Sequence, residues 1–231
     1  MPDIKIAGPD GEFSAYLALP KTTPAPGVVV AQEIFGVNQV MREVCDWLAG
    51  AGFTACCPDL FWRIEPGIQI TDKTDAEWKR AFELFQAFDV DKGIVDLKAT
   101  LAHLRGHKAC SGKAGAVGYC LGGKLAYLMA TRSDSDASVG YYGVGLADLT
   151  GEAKNIKKPL MLHVATEDQF VPPEQQDKVA KALKGNAQVT LHTYKGQDHA
   201  FARVGGKHFD KAAADLANSR TLTFFKEHLG A

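Results

Sequence analysis

From residue 27 onward the chain alternates short apolar runs with stretches of helical periodicity. Val28–Ala31 is unbroken apolar, and Val40–Ala49 repeats its apolar positions at helical spacing until Gly50 and Gly52. Phe53–Cys57 reads as the next strand, stopped by Pro58. Asp75–Leu104 is helical in pattern, as two helices broken near Asp89 and Gly93. Lys113–Tyr119, Ser138–Tyr142, Leu160–Ala165 and Val189–Tyr194 read as further strands. Helices are predicted over Leu121–Thr131, Glu174–Leu183 and Lys207–His228. Strand after helix in this order predicts a mostly parallel sheet with helices on both faces, an α/β fold. Ahead of it, Ile4–Ala7 and Phe13–Leu19 flank Pro9-Asp10-Gly11, a hairpin signal. With no linker, repeat or low-complexity tract, a single domain over 1–231 is expected.

Composition narrows the setting. The 231 residues are 46% hydrophobic and 23% charged, enough for one full-sized core. A formal net charge of −1, with Lys and Arg scattered, points to neither a nucleic-acid nor a membrane partner. Met1-Pro2-Asp3-Ile4-Lys5 lacks a signal-peptide pattern and no apolar run approaches a membrane span, so a cytoplasmic protein is expected. The five cysteines, at 45, 56, 57, 110 and 120, show neither zinc-type spacing nor a CxxC pair. A reducing compartment is expected, with no metal site and no disulfide framework.

The chemistry concentrates at Val117-Gly118-Tyr119-Cys120-Leu121-Gly122-Gly123. Ala114, Ala116 and Val117 end a buried strand and Leu121 opens a helix, so Cys120 occupies a strand–elbow–helix turn made possible by the flanking glycines. A thiol at a helix N-terminus feels the positive end of the helix dipole, which favours the thiolate. The plainer reading makes Cys120 a small buried hydrophobe at a tight turn. An elbow nucleophile needs a base and an orienting carboxylate, in chain order nucleophile, acid, histidine. Thr166-Glu167-Asp168-Gln169 follows one strand and supplies two carboxylates, Glu167 and Asp168. His199 lies in the polar, Gly-containing loop that begins at Lys195, just past the last strand. Of the other histidines, His103 and His107 precede the elbow, His163 and His192 sit inside strands, and His208 and His228 are placed on the last helix. The backbone N–H of Leu121 and a second near Ile34 are the candidate oxyanion donors. Glu33, between apolar residues at a strand end, is a cap or surface residue in the plain reading. It also faces the crevice of Cys120, where a carboxylate competes with His199 for the thiol proton.

Taken together, Gln32–Gly36, Gly118–Gly123, Gly140–Gly145, Gln86–Asp89 and His199–Arg203 resemble the dienelactone hydrolase family over roughly residues 4 to 229. The resemblance implies an α/β-hydrolase fold and a Cys–His–Asp triad at Cys120, His199 and Asp168. It implies that Glu33 holds the resting thiol neutral and that Arg203 contacts a substrate carboxylate. The implied reaction opens 4-carboxymethylenebut-2-en-4-olide to maleylacetate in aromatic-compound breakdown, by a monomer, with no metal or organic cofactor. An enol leaving group suits a thiol nucleophile, because the tetrahedral intermediate collapses more easily than with an alkoxide.

The chain departs from the family at one place. Where a second substrate-binding arginine is expected, it has Trp78. Arg80, two residues on, lies about 200° around a helix and faces away. Trp78, Phe82 and Phe85 share one helical face, which is either core packing or an apolar wall of the cleft. Rival readings are a carboxylesterase or thioesterase of the same fold, a ligand-binding homologue without turnover, and a redox-sensing thiol.

Overall fold

A computed structural model of the chain describes residues 3–230. Strands β1 (Asp3–Gly8) and β2 (Gly11–Ala18) form the expected hairpin, pairing Gly8 with Gly11 across the turn. The parallel part follows as β3 (Ala25–Ala31), β4 (Thr54–Pro58), β5 (Cys110–Tyr119), β6 (Ser138–Tyr141), β7 (Leu160–Ala165) and β8 (Val189–Tyr194). Their order across the sheet is β1-β2-β4-β3-β5-β6-β7-β8, with only the pairs involving β2 antiparallel. This is the α/β-hydrolase fold. Every residue of β3 and β4 is buried because helices cover both faces, which is why these segments read as apolar runs rather than alternations.

Helices α1 (Gln39–Gly50), α2 (Asp75–Ala87), α3 (Val90–Gly106), α4 (Leu121–Arg132), α5 (Pro173–Leu183) and α6 (Lys211–Phe225) supply the cover. The α2–α3 break falls where the sequence predicts it. Asp89 caps α3 by accepting from Lys92 N at 3.0 Å, while Gly93 lies inside that helix. A side chain at Gly93 would run into the Phe88 ring, so this glycine serves close packing rather than the break itself.

Two boundaries differ from expectation. The last helix begins at Lys211, where Asp210 accepts from Ala213 N at 2.8 Å and fixes the N-cap. His208 therefore sits in the preceding loop, half-buried, and His228 lies in a terminal π-type turn over Lys226–Gly230. A 3-10 segment spans Leu146–Asn155, where the sequence pattern above predicts no element.

The strand order runs outward in both directions from the adjacent β3 and β5. A crevice opens at their carboxyl ends, the place where open α/β sheets bind ligands.

Candidate active site

Cys120 stands at the point where β5 turns into α4, with φ 56 and ψ −115. That left-handed backbone is strained for a residue with a Cβ, and it lifts the thiol out of the sheet into the crevice. The turn is tight enough to demand small neighbours. A Cβ on Gly118 would collide with Gly122 O, and one on Gly122 with Ala31 O. The amide of Cys120 donates to Tyr141 O at 3.1 Å, which ties the elbow to β6. The N–H of Leu121 is the first of α4. Neither it nor the N–H of Ile34 has an acceptor among the described residues. Ile34 and Cys120 line the same cavity.

Strands β7 and β8 pair in register, Ala165 opposite Tyr194, so their following loops leave the sheet side by side. The loops are laced together: Glu167 N donates to Gln197 O at 2.9 Å and Gly196 N to Thr166 Oγ1 at 2.9 Å. Asp198 accepts from the amides of both His199 and Gln169. This brings His199 Nδ1 to 2.8 Å from Asp168 Oδ2, both side chains buried. Glu167 is exposed, so of the two carboxylates it is Asp168 that reaches the histidine. Nε2 of His199 is buried without an aligned hydrogen-bond partner, yet lies within electrostatic reach of Cys120. Burial opposes a charge on this imidazole, but the charge of Cys120 and the bond to Asp168 outweigh it and push its pKa up to about 10.

Glu33 and Arg203, remote in sequence, meet as a buried bidentate pair. Arg203 Nε donates to Glu33 Oε2 at 2.8 Å and Nη2 to Oε1 at 2.9 Å. Nη1 donates to Asp72 at 3.1 Å, and the guanidinium lies over the Phe35 ring at 4.9 Å. In this arrangement both oxygens of Glu33 face Arg203 rather than the thiol. Burial would lower the arginine pKa, but Glu33 more than offsets that and raises it.

Trp78, Phe82 and Phe85 line the cleft beside Cys120, together with Val144 and Phe170. Arg80 does point away, onto Glu65 at 2.5 Å and Glu83 at 3.1 Å. Sequence reasoning missed Asp72, Phe170 and Tyr142. Tyr142 has a strained φ of 36 and packs edge-on to His199 at 5.1 Å, and Phe170 does the same at 4.9 Å. Tyr142 sat within a recognised motif without a role, and Phe170 follows Asp168 closely. For Asp72 no local signal exists. Among the described residues, no group of His, Cys, Asp and Glu is arranged to hold a metal ion.

The model of the dienelactone hydrolase family matches residues 13–229. A provisionally named carboxymethylenebutenolidase of Azospirillum brasilense is 57% identical over 233 residues, covering 100% of each chain. Carboxymethylenebutenolidase 1 of Cupriavidus pinatubonensis is 42% identical over 212 residues, 92% of this chain and 90% of that one. Among solved structures, a provisionally named dienelactone hydrolase of Klebsiella pneumoniae superposes with a TM-score of 0.87 at 26% identity, covering 98% of both chains.

Proposed function

The chain belongs to the dienelactone hydrolase family, a hydrolase of lactones or esters, and from that premise we propose that Cys120 is its nucleophile, His199 its base and Asp168 the carboxylate that orients the base. The observation that carries the reading is His199 itself. One ring nitrogen is locked to Asp168 at 2.8 Å, and the other is left unpaired beside a thiol on a strained elbow.

The chemistry follows from these positions. With Nδ1 held by Asp168, Nε2 takes the Cys120 proton and the thiolate attacks the lactone carbonyl. The N–H groups of Leu121 and Ile34 stabilise the resulting oxyanion. Collapse breaks the ring C–O bond and expels an enolate, which receives the proton from His199 and remains tethered as a thioester. His199 then deprotonates a water, hydroxide attacks the thioester, and Cys120 leaves as thiolate. The reference reaction is the opening of 4-carboxymethylenebut-2-en-4-olide to maleylacetate, in aromatic-compound breakdown. The reading takes a small-molecule substrate and a cytoplasmic monomer, and its steps call for no cofactor. No helix among the described residues is long and apolar enough to cross a membrane.

Steady-state hydrolysis tests the reading. Cys120→Ala should abolish turnover with an unchanged circular dichroism spectrum. Cys120→Ser should remain far below wild type, since a hydroxyl is much harder to ionise than a thiol of pKa about 8.5. Near wild-type rates for a folded Cys120→Ala would overturn it. A second reading, a broader carboxylesterase of the same fold, is favoured by the apolar wall around Trp78.

A further inference from the structure

The cleft has two lobes. An outer one of about 410 Å³ is lined by Asp72, Gln169, Lys207 and His208, and an inner one of about 220 Å³ abuts Cys120. The inner lobe is walled by Trp78, Phe82, Phe85, Val144 and Phe170, with Arg203 and His199 also lining it. Trp78 and Phe82 stack at 5.6 Å and 29°. The indole N–H of Trp78 is already bonded to Asp72 O at 3.1 Å, so this side chain offers the lobe a ring and no donor. Phe82 and Phe170 remain 40% and 41% exposed although each is large and apolar, and both line the cavity.

Besides His199, Arg203 is the one basic side chain on this lobe among the described residues, and it is poorly placed to attract an anion. Three of its N–H groups are bonded to Glu33 and Asp72, so one positive charge faces two carboxylates within hydrogen-bond distance. Lys73 lies 3.5 Å from Asp72 but is 59% exposed, and Lys207 is an exposed side chain of the outer lobe, so solvent screens both. A carboxylate entering the inner lobe meets an arginine whose charge two carboxylates already share, and must shed its own hydration against aromatic walls. An uncharged ring meets neither cost. An enclosure of about 150 Å³ accommodates benzene, so the inner lobe has room for an aryl group.

We propose that the inner lobe is a subsite for an uncharged aromatic group, and that the chain hydrolyses neutral, aryl-bearing enol-lactones or esters in preference to carboxylated ones. This rests on the hydrolase reading for turnover, but the subsite itself is a statement about binding.

A matched series tests it: 4-carboxymethylenebut-2-en-4-olide, its methyl ester, and 4-benzylidenebut-2-en-4-olide share one lactone ring and an enol leaving group. The benzylidene lactone should show kcat/KM above the carboxylated lactone by roughly tenfold or more, within what burying one aromatic ring supplies. Replacing Trp78 and Phe82 together by Ala should cut the ratio of benzylidene lactone to methyl ester about tenfold. Trp78→Arg should raise kcat/KM for the carboxylated lactone, a gain that misfolding does not mimic. Binding to the Cys120→Ala protein, followed by tryptophan fluorescence, should rank the three lactones in the same order. A carboxylated lactone that is bound and turned over best, or ratios unmoved by these substitutions, overturns the proposal. If the wild type turns over none of the three while Cys120→Ala binds the benzylidene lactone tightest, the hydrolase reading fails and the subsite stands.

Discussion

Glu33 shows how much of this site depends on single side chains with more than one available partner. Its carboxylate is 2% exposed and makes both its bonds to Arg203, on which Asp72 also bears. In this structure both of its oxygens are on Arg203, so a role in priming the nucleophile requires it to exchange that pair for the Cys120 thiol. If that exchange occurs, Glu33→Gln removes the competing acceptor for the thiol proton and leaves His199 to take it. Iodoacetamide should then label Cys120 faster at neutral pH while lactone turnover falls, because the thiolate is the reactive form. Peptide mapping separates Cys120 from the four other cysteines, all of them buried. Identical alkylation profiles would confine Glu33 to pairing with Arg203. At this scale the sequence was partly legible. The place of His199 past the last strand follows from order alone, whereas choosing Asp168 over Glu167 needed the family resemblance and then the burial of the side chain.

Elements are held to one another by polar groups as well as by apolar faces, and β7 supplies the main example. His163, 1% exposed, bonds through Nδ1 to Tyr194 Oη of β8 at 2.7 Å and through Nε2 to Thr221 Oγ1 of α6 at 2.9 Å. Thr221 in turn lies 2.6 Å from Tyr141 Oη of β6, so one network joins the strands that carry the acid and base loops. Burial, reinforced by His192 and Arg220, holds the His163 pKa well below its ordinary value. In the unfolded chain a histidine titrates near 6.5, so below about that pH the unfolded state binds a proton that the folded state excludes. Stability should therefore fall as pH falls through that value. His199 is shifted the other way. Its contribution is complete below the unfolded value and is lost as pH rises through about 10, and it cancels when proteins that both retain it are compared. Urea unfolding at pH 7.5 and 5.5 should show a larger acid loss for wild type than for His163→Gln. Equal losses would mean that His163 titrates normally. Sequence reading placed His163 inside a strand with a structural role, but its partners come from different elements and leave no periodic trace.

Across the whole molecule, the sheet brings together residues that the chain keeps far apart. Cys120 follows β5, Asp168 follows β7 and His199 follows β8, and because these strands are parallel their loops share one edge. Strand–helix alternation and the elbow glycines made this much readable, since both are local patterns with fixed periods. The Glu33–Arg203 pair spans 170 positions and has no local signature. The same holds for Asp72 on Arg203, and with it for the charge balance that sets the inner lobe apart. Trp78 was legible as a departure, though only the packing of α2 against the cleft showed that its face lines a cavity. The central claim is that catalysis passes through a thioester on Cys120, and the most direct test is to catch it. Turnover of a slow enol-lactone is quenched in acid, the protein is digested, and the fragments are weighed. Because ring opening leaves both halves of a lactone attached, the Cys120 peptide should gain the mass of the whole lactone, and Cys120→Ala should show neither adduct nor turnover. An acyl group on any other residue, or full turnover by folded Cys120→Ala, would contradict the account.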